Sequence, residues 1–169
     1  MKTLLIVYHS TTGATAQMAE AAASGARNIE GTIGDPEVQV RLLHATAANP
    51  ADVLAADAYI FATPENLAAI AGLMKDFFDR CYYGVLDQIN GRRYASIICA
   101  GSDGSNAARQ IERIATGWRL EAAAAPLIIC THAQNPEQIL AAKHISTSDL
   151  ARGVELGATL AAGLAIGAF

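Results

Sequence analysis

The chain has 169 residues, of which 52% are hydrophobic and 17% charged, and a formal net charge of -4 at pH 7. That length and composition suit one well-buried domain over residues 1–169 and are not those of a disordered chain. The mild acidity argues against a nucleic-acid partner, which would want a basic face, and gives no strong steering toward any charged molecule.

Residues 3–8 form a short continuous apolar run, the pattern of a strand buried on both faces. The run is too short for a signal peptide and stops at His9. Residues 14–28 are rich in Ala, with Gln, Met and Glu, and predict a helix. Residues 31–36 carry turn chemistry. Residues 37–43 alternate, with Val38, Val40 and Leu42 apolar and Gln39 and Arg41 polar, as in a half-exposed strand at a sheet edge. Asn49-Pro50 reads as an N-cap followed by proline at the first helical position, and a short helix follows to residue 56. Residues 58–62 are the third strand, which Thr63-Pro64-Glu65-Asn66 is expected to break. A helix is predicted over 68–81, with Ile70, Leu73, Met74 and Phe77 on one face. Asn90-Gly91 marks a turn before a fourth strand at 94–100. Residues 101–105 form a Gly-rich loop, 106–120 a helix, and 126–130 a fifth strand. A short helix near 137–143 and a longer one over 149–165 complete the order.

The apolar stretch at 156–169 falls short of the ~20 residues that span a bilayer and is rich in Ala and Gly. It predicts a helix packed on a sheet, which Gly153, Gly157, Gly163 and Gly167 allow to lie close to a neighbour. Cys81, Cys99 and Cys130 are odd in number and unpatterned, which fits buried thiols in a reducing compartment rather than disulfides or zinc. His9, His44, His132 and His144 are scattered, so no metal site is expected. The expectation is a cytoplasmic protein that does not contact membrane.

Strands separated by helices must run parallel, with right-handed crossovers and helices on both faces. With five strands and an edge-like second one, the expected fold is an α/β doubly wound sandwich of flavodoxin-like strand order 2-1-3-4-5. Ligands of such sheets bind beyond the carboxyl ends of the strands where the order reverses, here between strands one and three. Three loops reach that point. Ser10-Thr11-Thr12-Gly13-Ala14-Thr15 carries four hydroxyls and a glycine and opens a helix, whose free N–H groups and partial positive charge suit an anion. It contains no Lys or Arg, so a phosphate would be held by hydrogen bonds alone; plain Ser/Thr capping is the simpler alternative. The loop lacks the Gly-x-Gly-x-x-Gly of dinucleotide folds and the Gly-Lys-Ser/Thr of P-loops. Ala62-Thr63 stands where a phospho-acceptor receiver would need Asp. The second loop, Thr63-Pro64-Glu65-Asn66-Leu67, would pin a flat heterocycle with main-chain groups, or is an ordinary turn with Asn66 as N-cap. The third, at Gly101, Asp103 and Gly104, would close the other side, or is simply a turn.

Ser10-x-Thr12-Gly13-x-Thr15 after an N-terminal strand resembles the flavodoxin loop for the FMN phosphate. Residues 62–67 with 74–80, then Gly101-Ser102-Asp103-Gly104, Ile111-Glu112-Arg113-Ile114 and Trp118-Arg119-Leu120, resemble flavodoxin-like NAD(P)H-dependent FMN reductases and quinone reductases related to them. The likeness covers nearly the whole chain. It implies that Ser10, Thr11, Thr12, Gly13, Ala14 and Thr15 hold the phosphate of FMN. It places Thr63, Pro64, Glu65, Asn66 and Leu67 at the isoalloxazine edge, and Ala100, Gly101, Ser102, Asp103 and Gly104 along its other side. Glu65 and Asp103, if close, would oppose negative charge on the ring. One departure stands out: such relatives often carry an aromatic residue just after the Thr-Pro-Glu-Asn stretch, and here Leu67-Ala68-Ala69-Ile70 takes its place. FMN would then be held less tightly, exchanged as a substrate, or covered from a second subunit. Tyr82 and Tyr83 are candidates for that cover, with packing at a helix end the plainer reading.

The resemblance implies an enzyme that takes hydride from NAD(P)H and passes electrons to a quinone, a flavin or another small acceptor. A flavodoxin-type single-electron carrier is the alternative, and a flavodoxin-fold protein that has lost FMN a further one. The flavin carries the redox chemistry, so no catalytic side chain is assigned. His9 adjoins the phosphate loop and would add charge when protonated, though a solvated loop histidine is the plainer reading. Apolar helices and an open flavin face agree with a homodimer.

Overall fold

A computed structural model gives the fold, and it describes residues 1–29 and 38–169. The turn expected at 31–36 and the first residue of the expected second strand, Glu37, lie outside the described residues. In chain order the elements are β1 (Lys2–Tyr8), α1 (Ala14–Arg27), β2 (Val38–His44), α2 (Pro50–Ala55), β3 (Ala58–Asn66), β4 (Ala69–Ile70) and α3 (Gly72–Val85). Then come β5 (Arg93–Ala100), α4 (Ser105–Gly117), β6 (Glu121–Ala122), β7 (Leu127–Cys130), α5 (Pro136–Leu140) and α6 (Thr147–Ala165).

Apolar runs decide the sheet. Leu4, Leu5, Ile6 and Val7 of β1 are all fully buried, so both faces of this strand are covered. β1 pairs in parallel with β2 on one side and β3 on the other, β3 pairs with β5, and β5 with β7. The five longer strands therefore stand in the expected flavodoxin-like order. Two short strands were not anticipated. β6 lies on the same side of β5 as β7, at its opposite end, so the last strand is split around residues 123–126. β4 pairs antiparallel with the end of β3.

β4 overturns two expectations. Thr63-Pro64-Glu65-Asn66 does not break the third strand: β3 runs through Asn66, turns at Leu67 and Ala68, and pairs back through Ala69 and Ile70. Its pairing with β1 ends at Ala62, while its pairing with β5 continues to Pro64. Beyond Ala62 one side of β3 has lost its partner, and such an edge tolerates a proline without N–H. The following helix accordingly starts at Gly72, with Ala71 rather than Asn66 as its N-cap.

The two faces of the sheet are filled differently. Tyr59, Phe61, Phe77, Phe78 and Trp118 meet beneath α2, α3 and α4. Phe61 lies at the centre, with ring centroids 4.9 Å from Phe78 and 6.2 Å from Trp118. On the other face, Ala14, Ala19, Ala22, Ala23 and Ala26 of α1 pack with Leu156, Leu160, Ala161 and Leu164 of α6. Here backbones come close: a Cβ built on Gly157 would stand 1.8 Å from the Ala22 carbonyl oxygen, and one on Gly25 would stand 2.0 Å from that of Val154. Gly153 and Gly157 thus permit the close approach expected of them. Gly163 instead faces the Phe169 ring. Asn49 caps α2 as expected, accepting from the Ala51 and Asp52 N–H groups. Among the described residues, no helix is long and apolar enough to cross a membrane.

Candidate functional site

Where β1 and β3 diverge, a cleft of about 150 Å³ opens at their carboxyl ends. The His9 N–H donates to the Ala62 carbonyl, the last link between the two strands before the loop departs. Ser10 Oγ then accepts from the Gly13 N–H at 3.1 Å and folds the loop. Gly13 precedes α1 at φ 94, a left-handed geometry that glycine adopts without strain.

No side chain caps α1, despite the four hydroxyls before and within its first turn. Apart from the Ser10 bond to the Gly13 N–H, these hydroxyls are not spent on capping. The first-turn N–H groups have no acceptor within the helix, and they make up its electrostatically positive end. Thr15 is fully buried, and among the described residues its Oγ1 has no hydrogen-bond partner. The Cys99 thiol lies beside it, its pKa pushed up to about 11 mainly by burial. The Thr15 hydroxyl acts on that thiol in the opposite, lowering direction, so sulfur is within reach of a weak contact, but a thiol is a poor partner for a hydroxyl. A buried hydroxyl left alone costs about 1–3 kcal/mol, so an unpaired one in a ligand cleft points to a missing acceptor or donor.

Of the expected phosphate residues, Ser10, Thr11, Thr12, Ala14 and Thr15 line the cleft. Gly13 shapes the loop from behind. From the second loop Pro64, Glu65 and Asn66 line the cleft, but Thr63 and Leu67 do not. Thr63 is fully buried, and its Oγ1 donates to the Pro64 carbonyl and accepts from the Ala71 N–H. Leu67 is 103% exposed at the turn, with φ 49, followed by Ala68 at φ 59. The Asn106 side chain donates to the Ala68 carbonyl, and Gln110 Oε1 accepts from the Ile70 N–H, so α4 clamps this hairpin.

From the third loop Ala100 and Gly101 line the cleft, whereas Ser102, Asp103 and Gly104 do not. The charges of Glu65 and Asp103 are already engaged. Glu65 accepts from the Gly104 N–H at 3.1 Å and the Ala107 N–H at 3.0 Å, so it caps α4 with a full negative charge. Asp103 accepts from the Ser105 N–H and hydroxyl. Tyr82 packs against the aromatic core and Tyr83 is exposed; neither lines the cleft.

The chain's later segment adds residues that no local signal marked. Cys99, Thr131, Ala133, Ile139, Leu140 and Lys143 also line the cleft. The site thus has a cation after all, although not in the first loop. The Lys143 ammonium donates to the carbonyls of Gln138, Ile139 and Ala141, and its N–H donates to the Thr12 carbonyl at 2.8 Å. His9 is a partly exposed loop residue that pairs with a second histidine. Its Nδ1 is 3.1 Å from His44 Nε2, and burial, followed by the His44 charge, holds its pKa below the usual 6.5.

The geometry agrees with the family model for NADPH-dependent FMN reductase, which matches residues 1–130. The chain belongs to this family. Similarity within the wider group runs in two directions. A flavodoxin of Aquifex aeolicus (strain VF5) is 38% identical over 102 residues, covering 60% of this chain and 50% of that protein. An NAD(P)H dehydrogenase (quinone) of Acidithiobacillus ferrooxidans (strain ATCC 53993 / BNL-5-31) is 35% identical over 94 residues, covering 47% of each chain. The chain thus spans about half the length of the curated relatives it matches. Among solved structures, a flavodoxin from the domain Archaea superposes with a TM-score of 0.76 at 20% identity, covering 96% of this chain and 98% of its own. That likeness establishes the flavodoxin-like fold of this family member.

Proposed function

We propose that this chain binds FMN in the cleft and serves as an NAD(P)H-dependent oxidoreductase acting on a quinone, a flavin or another small acceptor. One observation carries the reading: the buried, unpartnered Thr15 Oγ1 beside an uncapped helix N-terminus. A phosphate ester seated there would take hydrogen bonds from the Thr15 hydroxyl, the Thr11 and Thr12 hydroxyls, and the first-turn N–H groups. Bonds of this kind to a charged group contribute about 1.5–3 kcal/mol each. The residues present therefore fit FMN at its phosphate end.

Pro64, Glu65 and Asn66 would flank the ring on one side, and Ala100 and Gly101 on the other. With its carboxylate committed to α4, Glu65 would offer the ring main-chain groups rather than an unopposed charge. Bound FMN would supply electron transfer between the nicotinamide donor and the acceptor. The chain's own part is binding, orientation and electrostatics, and no side chain is assigned as acid, base or nucleophile.

A single-electron carrier is the second reading, favoured by the similarity to the Aquifex flavodoxin. Titration with FMN followed by anaerobic mixing with NADPH separates the two. Rapid loss of the flavin's visible absorbance supports the reductase, whereas stable colour over minutes supports the carrier. Protein that gains no absorbance with FMN contradicts both. The proposal includes residues 1–169 acting as one domain, in the cytoplasm, as suits the three free cysteines. It also includes a homodimer, which a monomer mass in size-exclusion chromatography would contradict.

A further inference from the structure

We infer that α5 is an aliphatic cover for the isoalloxazine ring, with Ile139 and Leu140 in the place of an aromatic residue. This rests on the FMN reading above and adds a second set of binding residues to it. Among the described residues, no aromatic side chain lines the cleft. Beside Pro64, Ala100 and Ala133, the bulkiest apolar side chains on the cleft wall are Ile139 and Leu140, which are 51% and 78% exposed. No residue of α5 is buried, so the protein's core gives this helix no reason to sit where it does.

Hydrogen bonds hold it there. Lys143 is the hub: its N–H donates to the Thr12 carbonyl at 2.8 Å, and its carbonyl accepts from Gln17 Nε2 at 2.7 Å. Gln17 Nε2 also donates to the Gly13 carbonyl, and Gln17 Oε1 accepts from the Ile145 N–H. The Lys143 ammonium ties the carbonyls at the end of α5 to the same point. Two exposed aliphatic side chains are thereby latched to the phosphate loop, on the wall of the cleft that the loop opens. An apolar face of a flat ring is the occupant that removes both from water and continues directly from the phosphate end.

FMN and riboflavin titrations of purified protein test this, because riboflavin has the ring without the phosphate. The Ile139→Ser/Leu140→Ser double variant alters exposed positions and keeps the fold, which thermal unfolding verifies. Both ligands are expected to bind about tenfold or more weakly to it. Thr15→Val is expected to weaken FMN while leaving riboflavin unchanged. Tyr83→Ser, exposed and outside the cleft, should change neither. Wild-type affinity of the double variant for riboflavin overturns the cover, whatever happens to FMN. If wild-type protein binds FMN normally in that experiment, the flavin reading survives and only the cover falls. If the wild-type protein binds neither ligand, both fall.

Discussion

The aromatic face and the small-residue face of this sheet solve the same packing problem in opposite ways. Beneath α2, α3 and α4, large rings interlock around Phe61 and fill the space with side-chain volume. Between α1 and α6, alanines and glycines let backbones touch, and stability comes from close approach over a long contact. The cleft adjoins the second face, since Ala14 and Cys99 of that cluster line it. The lesson is one of division: rings stabilise the domain, while tightly seated α1 presents its uncapped end in a fixed place.

Two core substitutions should break that comparison cleanly. Phe61→Ala is expected to cost the most, about 3–5 kcal/mol in chemical denaturation, while leaving FMN affinity within a few-fold in whatever fraction stays folded. Gly157→Ala forces its Cβ into the Ala22 carbonyl and should cost about 3 kcal/mol. Unlike Phe61→Ala, it should also weaken FMN binding, because α1 must shift to relieve the clash. Equal effects of both variants on FMN affinity would erase the distinction between the faces.

Smaller changes sharpen it at the site's margins. Ala68→Gly relieves a left-handed alanine at φ 59 and should stabilise the protein by about 1 kcal/mol in thermal unfolding. His9 concerns pH. Its folded pKa lies below 6.5, so its contribution to stability is complete above that value and declines as pH falls below it, where the unfolded chain takes up the proton first. His44→Gln removes the lesser of the two causes. The His9 titration followed by NMR should then move up toward 6.5 without reaching it, because burial persists.

How much of this was legible in the sequence depends on the range of the forces involved. The continuous run of β1, the Asn49-Pro50 cap and the glycines of α6 declare themselves locally, and they set sheet order and helix packing. The hairpin at Asn66–Ala69 does not. Turns with two left-handed residues favour Asn-Gly, and here the positions are Leu67 and Ala68, held by Asn106 and Gln110 from α4. Pro64 misleads for a similar reason, since the loss of the β1 partner beyond Ala62 is a property of the sheet. That the loop from Ser10 to Thr15 would border the cleft was readable from its hydroxyls and glycine. That Thr63 turns into the hairpin, that Glu65 caps α4, and that α5 folds onto the loop through Lys143 and Gln17 are long-range outcomes without a local signature.

The central claim is that the α1 terminus and Thr15 are built for a phosphate that the protein itself does not supply. Thr15→Val keeps the shape of the side chain and deletes only its hydroxyl. FMN titration of this variant, paired with thermal unfolding in the absence of flavin, is the most direct measurement. We predict about tenfold or greater loss of FMN affinity, together with an unfolding temperature that is unchanged or raised, because an unsatisfied buried hydroxyl has been removed. Undiminished FMN affinity, or a lower unfolding temperature of the flavin-free protein, would contradict the account.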